Sequence, residues 1–140
     1  MGDTVSPTFL LRSRRIVTPH GVIDGTILIA NGIITSVDQL TRVPPDDVLD
    51  VGDLVVSPGL VDPHVHMNEP GRTEWEGFET ATRAAAAGGI TTLVDMPLNS
   101  SPVTTTVESF KTKLAAAQRK LFVDCGFHAG LVPSNAHSIG

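Results

Sequence analysis

The spacing of apolar residues changes once along this chain, near Gly71, and the change separates two kinds of structure. Before it, the pattern is one of short β-branched runs. Phe9 to Thr18 mixes apolar and basic positions as a strand does, and Pro19-His20-Gly21 ends the run. Thr26-Ile-Leu-Ile-Ala30 and Ile33-Ile-Thr-Ser-Val37 flank Asn31-Gly32, a pair that predicts a tight hairpin because both residues tolerate positive φ. Pro44-Pro45 marks a linker, and Val48-Leu49-Asp50-Val51 with Leu54-Val55-Val56 supplies further strand. Residues 1–8 read as a frayed start and residues 9–56 as a small antiparallel β module.

Beyond Gly71 the spacing turns helical. Thr73 and Glu76 are placed as a capping box, and Phe78, Ala81, Thr82 and Ala85 follow on one face. Gly88-Gly89 closes that helix. Ile90-Thr-Thr-Leu-Val94 is a β-rich run leading into Asp95-Met96-Pro97. Thr105 and Glu108 form a second capping box, opening a helix with Val107, Phe110 and Leu114 as its apolar face. Lys111, Lys113, Arg119 and Lys120 read as its solvated face. Leu121-Phe-Val123 through Leu131 predicts a third strand, and Pro133-Ser134-Asn135 the start of another helix. The order β-α-β-α-β calls for a parallel sheet with helical crossovers.

Between these regions lies Ser57-Pro-Gly-Leu-Val-Asp-Pro-His-Val-His-Met-Asn-Glu-Pro-Gly71. Its apolar run, bracketed by Pro and Gly, predicts a buried strand running into a loop. Residues two apart in a strand point to the same side, so His64 and His66 leave the backbone together and Asp62 shares their face. Two such imidazoles can hold a borderline-soft divalent cation such as zinc. The plainer alternative is a pair of histidines bonded within a core or loop.

Composition narrows the function classes. The chain has 140 residues, 41% of them hydrophobic, enough for one ordinary core. A net charge of −5 and a pI near 5.4 argue against nucleic acid or an anionic membrane as partner. There is no run of apolar residues long enough to span a bilayer, and the first residues lack the apolar stretch expected of a secretory leader. Cys125 is the sole cysteine, which excludes an intrachain disulfide and suggests a reducing, intracellular compartment. It reads as a small buried hydrophobe. Met1-Gly2-Asp3-Thr4-Val5-Ser6 matches the short myristoylation pattern, but only Arg12, Arg14 and Arg15 stand nearby as basic support.

The motif from Ser57 to Gly71 resembles the first barrel strand of the cyclic amidohydrolases: dihydroorotases, hydantoinases or dihydropyrimidinases, and allantoinases. The resemblance runs from about Phe9 to the last residue and is strongest to allantoinases. In dihydroorotases an arginine two residues after the H-x-H typically binds the substrate carboxylate. Asn68 stands there in this chain, and allantoin has no such carboxylate. Asp95-Met-Pro-Leu-Asn-Ser-Ser-Pro102 is also similar to allantoinases.

The resemblance implies an α/β fold: the N-terminal part of a (β/α)₈ barrel (residues 57–140) preceded by a segment of a small β-sandwich (residues 1–56). It implies hydrolysis of a cyclic amide, the hydantoin ring of allantoin, to allantoate at a binuclear zinc centre that activates a hydroxide. His64 and His66 would bind one metal and Asn68 would face substrate. Chemistry at the C-terminal strand ends also brings in Asp95 and His128. Asp95 either steers a ligand imidazole or caps the loop backbone. His128 reads as packed or loop-bonded, His20 as solvated, and Trp75 as packing on its loop.

The bridging carboxylated lysine, two further histidines and the basic aspartate of the family come from later strands. No catalytic residue proper is therefore expected within these 140 residues. A barrel takes about 250 residues, so the expectation is an incomplete barrel, inactive alone. Alternatives are a dihydropyrimidine or dihydroorotate hydrolase, and a non-catalytic remnant that only binds other subunits. The complete enzyme is expected to be an intracellular homo-oligomer, in the cytoplasm first, with peroxisome and mitochondrion as alternatives.

Overall fold

The computed structural model describes residues 9–38 and 48–138. The stretches read as a frayed start and as a Pro-Pro linker lie outside the described residues. The chain divides into two compact units, 1–58 and 59–140.

In the first unit, β1 (Phe9–Thr18) is the spine of the sheet. It pairs antiparallel with β2 (Gly21–Ala30), which turns into β3 (Ile33–Asp38) through Asn31 and Gly32 at φ 53° and 75°. Both turn residues thus take the left-handed conformation that the Asn-Gly pair predicts. The other edge of β1 is filled by β4 (Val48–Asp50) and β5 (Val55–Val56), both running parallel to it. This corrects the antiparallel expectation: filling that edge in the same direction takes a crossover, so the five-stranded sheet is mixed. A bulge between Ser13 and Ile16 is fixed by the Ser13 hydroxyl, which donates to Leu54 O at 2.6 Å and accepts Arg15 N–H at 2.9 Å. Ile16 and Ile27 are buried beneath it.

The second unit alternates strand and helix. β6 (Leu60–Val65), β7 (Ile90–Asp95) and β8 (Asp124–Phe127) form a parallel sheet in that order. Helix α1 (Phe78–Ala87) connects the first two and α2 (Val107–Ala117) the second and third. A parallel pair cannot be closed by a tight turn, so each crossover has to be a helix laid on the sheet. Met67, Phe78, Ala85, Leu93 and Ala117 make the core, with Val65, Cys125 and Phe127 against it. Phe127 meets both Phe78 and Phe110 edge to face, with ring centres 6.1 and 5.9 Å apart.

Several local expectations shift. α1 starts at Phe78 with Gly77 as N-cap, so Thr73 and Glu76 do not form its capping box. In α2 the box is one residue later: Thr106 Oγ1 accepts Ser109 N–H, and Ser109 Oγ accepts Thr106 N–H. The buried face of α2 is Ser109, Lys113 and Ala117, not Val107, Phe110 and Leu114. Ser109 and Ala117 are small, and the lysine between them has a buried partner. The third strand is shorter than expected, and residues 136–138 form only a 3₁₀ turn.

Candidate metal-binding site

Pro63 and a register shift between Asp62 and Val65 bend the end of β6 away from regular pairing with β7. His64 is the last residue but one of this strand and His66 lies just past it. Both are exposed, and their rings stand edge to face with centres 5.4 Å apart. The alternation read from the sequence thus brings the two imidazoles together. Asp62 is half-buried and turned back on its own loop, accepting His64 N–H through Oδ1 at 3.1 Å.

Asp95 closes the neighbouring strand beneath them and is buried. Its Oδ1 accepts Met67 N–H at 2.7 Å, and its Oδ2 receives the Lys113 ammonium at 2.5 Å. The carboxylate therefore holds the backbone beside His66 and, among the described residues, makes no hydrogen bond to an imidazole ring. Burial pushes the Asp95 carboxyl above its ordinary value; Lys113, the Met67 amide and the charge of His66 pull against that rise. Lys113 is only 1% exposed, which overturns its reading as part of a solvated face.

Asn68 is buried and its Oδ1 has no hydrogen-bond partner among the described residues. Its backbone is fixed: the N–H donates to Glu76 O and the carbonyl accepts Arg72 N–H. Glu69 is also buried, with Oε2 accepting Phe78 N–H at 3.0 Å and Oε1 paired with Lys120. Lys120 makes this pair from beyond the end of α2 and keeps its side chain 40% exposed. His128, at the end of β8, donates its N–H to Asp95 O at 2.9 Å, and its Nε2 lies 3.3 Å from Pro63 O. It is loop-bonded, as read. Trp75 is exposed, with the Arg72 guanidinium 5.0 Å over its ring.

Two imidazoles suit zinc in kind but fill only half of the usual four positions. No group of three or more His, Cys, Asp or Glu that could hold a metal occurs among the described residues. Sequence reasoning missed Lys113, Lys120 and the capping role of Glu69. One signal was present: a carboxylate closing a core strand needs charged or hydrogen-bonding partners, and the lysines after it are candidates.

The comparisons with known proteins meet at this strand. The amidohydrolase family profile matches residues 55–137, which takes in the H-x-H strand and both crossovers. The chain belongs to the amidohydrolase family. Residues 6–53 match a second profile, the allantoinase composite domain. Amidohydrolases are generally metal-dependent, and the relatives act on small molecules.

Among curated proteins, the chain is 52% identical over 136 residues to allantoinase of Arabidopsis thaliana, covering 91% of this chain and 26% of that one. It is 54% identical over 132 residues to allantoinase of Streptomyces avermitilis, covering 93% and 30%. A mitochondrial allantoinase of Aquarana catesbeiana is 52% identical over 128 residues, covering 90% and 26%. Among solved structures, L-hydantoinase (dihydropyrimidinase) from Arthrobacter aurescens superposes with a TM-score of 0.82 at 32% identity, covering 94% of this chain and 29% of that one. The chain thus spans between a quarter and a third of the length of these relatives. Among the described residues no helix is long and apolar enough to cross a membrane.

Proposed function

We propose that this chain forms the opening part of an allantoinase-type site, in which His64 and His66 bind zinc and the hydantoin ring of allantoin is opened to allantoate. The observation that carries the reading is the pairing of the two imidazoles at the C-terminal end of β6, in a chain about half identical to allantoinases. When bound, zinc supplies Lewis-acid polarisation of the cyclic amide and lowers the pKa of water beside it. The chain's own residues bind and orient. His64 and His66 present their two imidazoles from one backbone segment. Asp95 and Lys113 fix that segment from below. Asn68 keeps a buried acceptor, Oδ1, without a partner, which suits a ligand rich in N–H groups such as a ureido-hydantoin.

Two metals, bridged by a carboxylated lysine from outside residues 1–140, belong to the same reading. So do assembly as a homo-oligomer and a cytoplasmic location. A second reading, hydrolysis of a dihydropyrimidine, is favoured by the likeness to dihydropyrimidinase structures. Asn68, where the dihydroorotase pattern has arginine, argues against a carboxylate-bearing ring.

Residues 6–137 exchanged into the allantoinase of Streptomyces avermitilis test the substrate. Retained turnover of allantoin, lost on His64→Ala and strongly reduced on Asn68→Arg, supports the reading. Turnover of dihydrouracil in place of allantoin overturns it in favour of the second. Intact allantoin turnover in Asn68→Arg removes Asn68 as a substrate residue.

A further inference from the structure

We infer that Lys113 is a positioning residue for the H-x-H pair: acting through Asp95, it fixes the backbone on both sides of His66 and so sets where the imidazoles stand. The inference rests on the metal-binding reading above.

His66 lies beyond the regular end of β6, where the register with β7 has already shifted, so the strand ladder alone does not fix it. Its two neighbours are held instead by residues 95 and 96. Met96 N–H donates to Val65 O at 2.8 Å, and Met67 N–H donates to Asp95 Oδ1 at 2.7 Å. One ammonium holds both of these anchor residues. Lys113 Nζ lies 2.5 Å from Asp95 Oδ2 and 3.4 Å from Met96 O. Asp95 O also accepts His128 N–H, so β8 is tied to the same point. Lys113 reaches it from the middle of α2 and touches neither imidazole.

Stability alone is a poor reason for this arrangement. Both charges are out of water, at 1% and 0% exposure, and a buried ion pair is often no more stable than an apolar pair of the same volume. What the pair adds is direction: a charged acceptor aimed at one amide. Groups that bond a metal-binding imidazole directly typically contribute about 10–100-fold to metal binding. Asp95 and Lys113 act one step back, through the backbone, so a smaller effect is expected of them.

The test uses the whole 140-residue chain, zinc as probe, and amide hydrogen exchange as a second readout. In Lys113→Met, zinc affinity is expected to fall by up to about tenfold, the low end of the range for groups that bond the ligand itself. Exchange at Met67 is expected to accelerate at least tenfold relative to Leu93, a core residue a merely structural change would affect equally. Asp95→Asn, which keeps the shape and removes the charge, is the second variant should Lys113→Met fail to fold. It is expected to move both readouts the same way. Zinc affinity unchanged in these variants, while His64→Ala abolishes binding, overturns the inference and leaves the metal reading standing. Zinc binding indifferent to His64→Ala overturns the metal reading, and Met67 exchange then decides the clamp alone: acceleration supports it, and no change overturns it.

Discussion

Glu69 caps a helix that begins nine residues after it: its Oε2 accepts the N–H of Phe78, the first residue of α1, at 3.0 Å. The other oxygen meets Lys120, which follows α2, so one buried carboxylate joins the loop after the H-x-H strand to both crossovers. The four first amides of a helix need acceptors, and a carboxylate there also faces the positive end of the helix dipole. Gly77 leaves room for it, since a Cβ at that position stands 3.2 Å from Glu69 Oε2.

Glu69→Ala is therefore expected to destabilise the chain by about 1–3 kcal/mol, the cost of a buried donor left without its acceptor. Lys120→Met is expected to cost less, because its side chain is 40% exposed and water screens the pair. Urea denaturation of the two variants checks the order. Equal effects would mean that the ion pair, and not the cap, is the main contribution.

This carboxylate also marks how far the sequence could be read. The hairpin at Asn31-Gly32, the three parallel strands, the two helices and the convergence of His64 with His66 follow from local rules: turn chemistry, period and alternation. The cap of α1 does not, because its donor and acceptor are nine residues apart and the closer pair, Thr73 and Glu76, fits the familiar spacing better. The burial of Lys113 escapes the sequence for a related reason. Helical spacing alone cannot distinguish a charged residue facing water from one facing a buried carboxylate contributed by another element. β4 and β5 could be read as strands, but their direction depends on a crossover that strand patterns do not encode. Asn68 was legible as a substrate candidate from its place after the H-x-H; its unpartnered Oδ1 is a three-dimensional fact.

The buried pair of Asp95 and Lys113 predicts strong coupling. Asp95→Leu and Lys113→Met are each expected to cost about 3–5 kcal/mol, because each leaves a charge buried without a partner. The double variant is expected to cost clearly less than the sum of the two, and urea denaturation of the full cycle measures the difference. Simple additivity would contradict the pairing.

Gly71 sits at φ +90°, and a Cβ there stands 2.5 Å from Ser101 O. Gly71→Ala combines backbone strain with a clash against main chain and is expected to cost at least about 1–3 kcal/mol. Gly21, at φ +124° with nothing within 4 Å, carries only the strain, so Gly21→Ala is expected to cost less. Thermal melts rank the two.

The Cys125 thiol is pushed up from 9.0 to about 11, chiefly by burial, with the charge of Asp95 adding to it. Its thiolate fraction near pH 8 is then roughly a hundredfold below that of a free cysteine, and alkylation by iodoacetamide is expected to slow in proportion. Because the folded value is the raised one, the thiol favours the folded state fully below pH 9 and loses that contribution as pH rises through about 11. Fast labelling of the folded chain at pH 8 would contradict this placement.

The most direct test of the metal site is a zinc titration followed by NMR of the five histidine rings. The expected result is that His64 and His66 shift together and saturate near one equivalent, while His20, His128 and His137 stay in place. Shifts spread over all five rings, or none at His64 and His66 at millimolar zinc, would contradict a metal site at the end of β6.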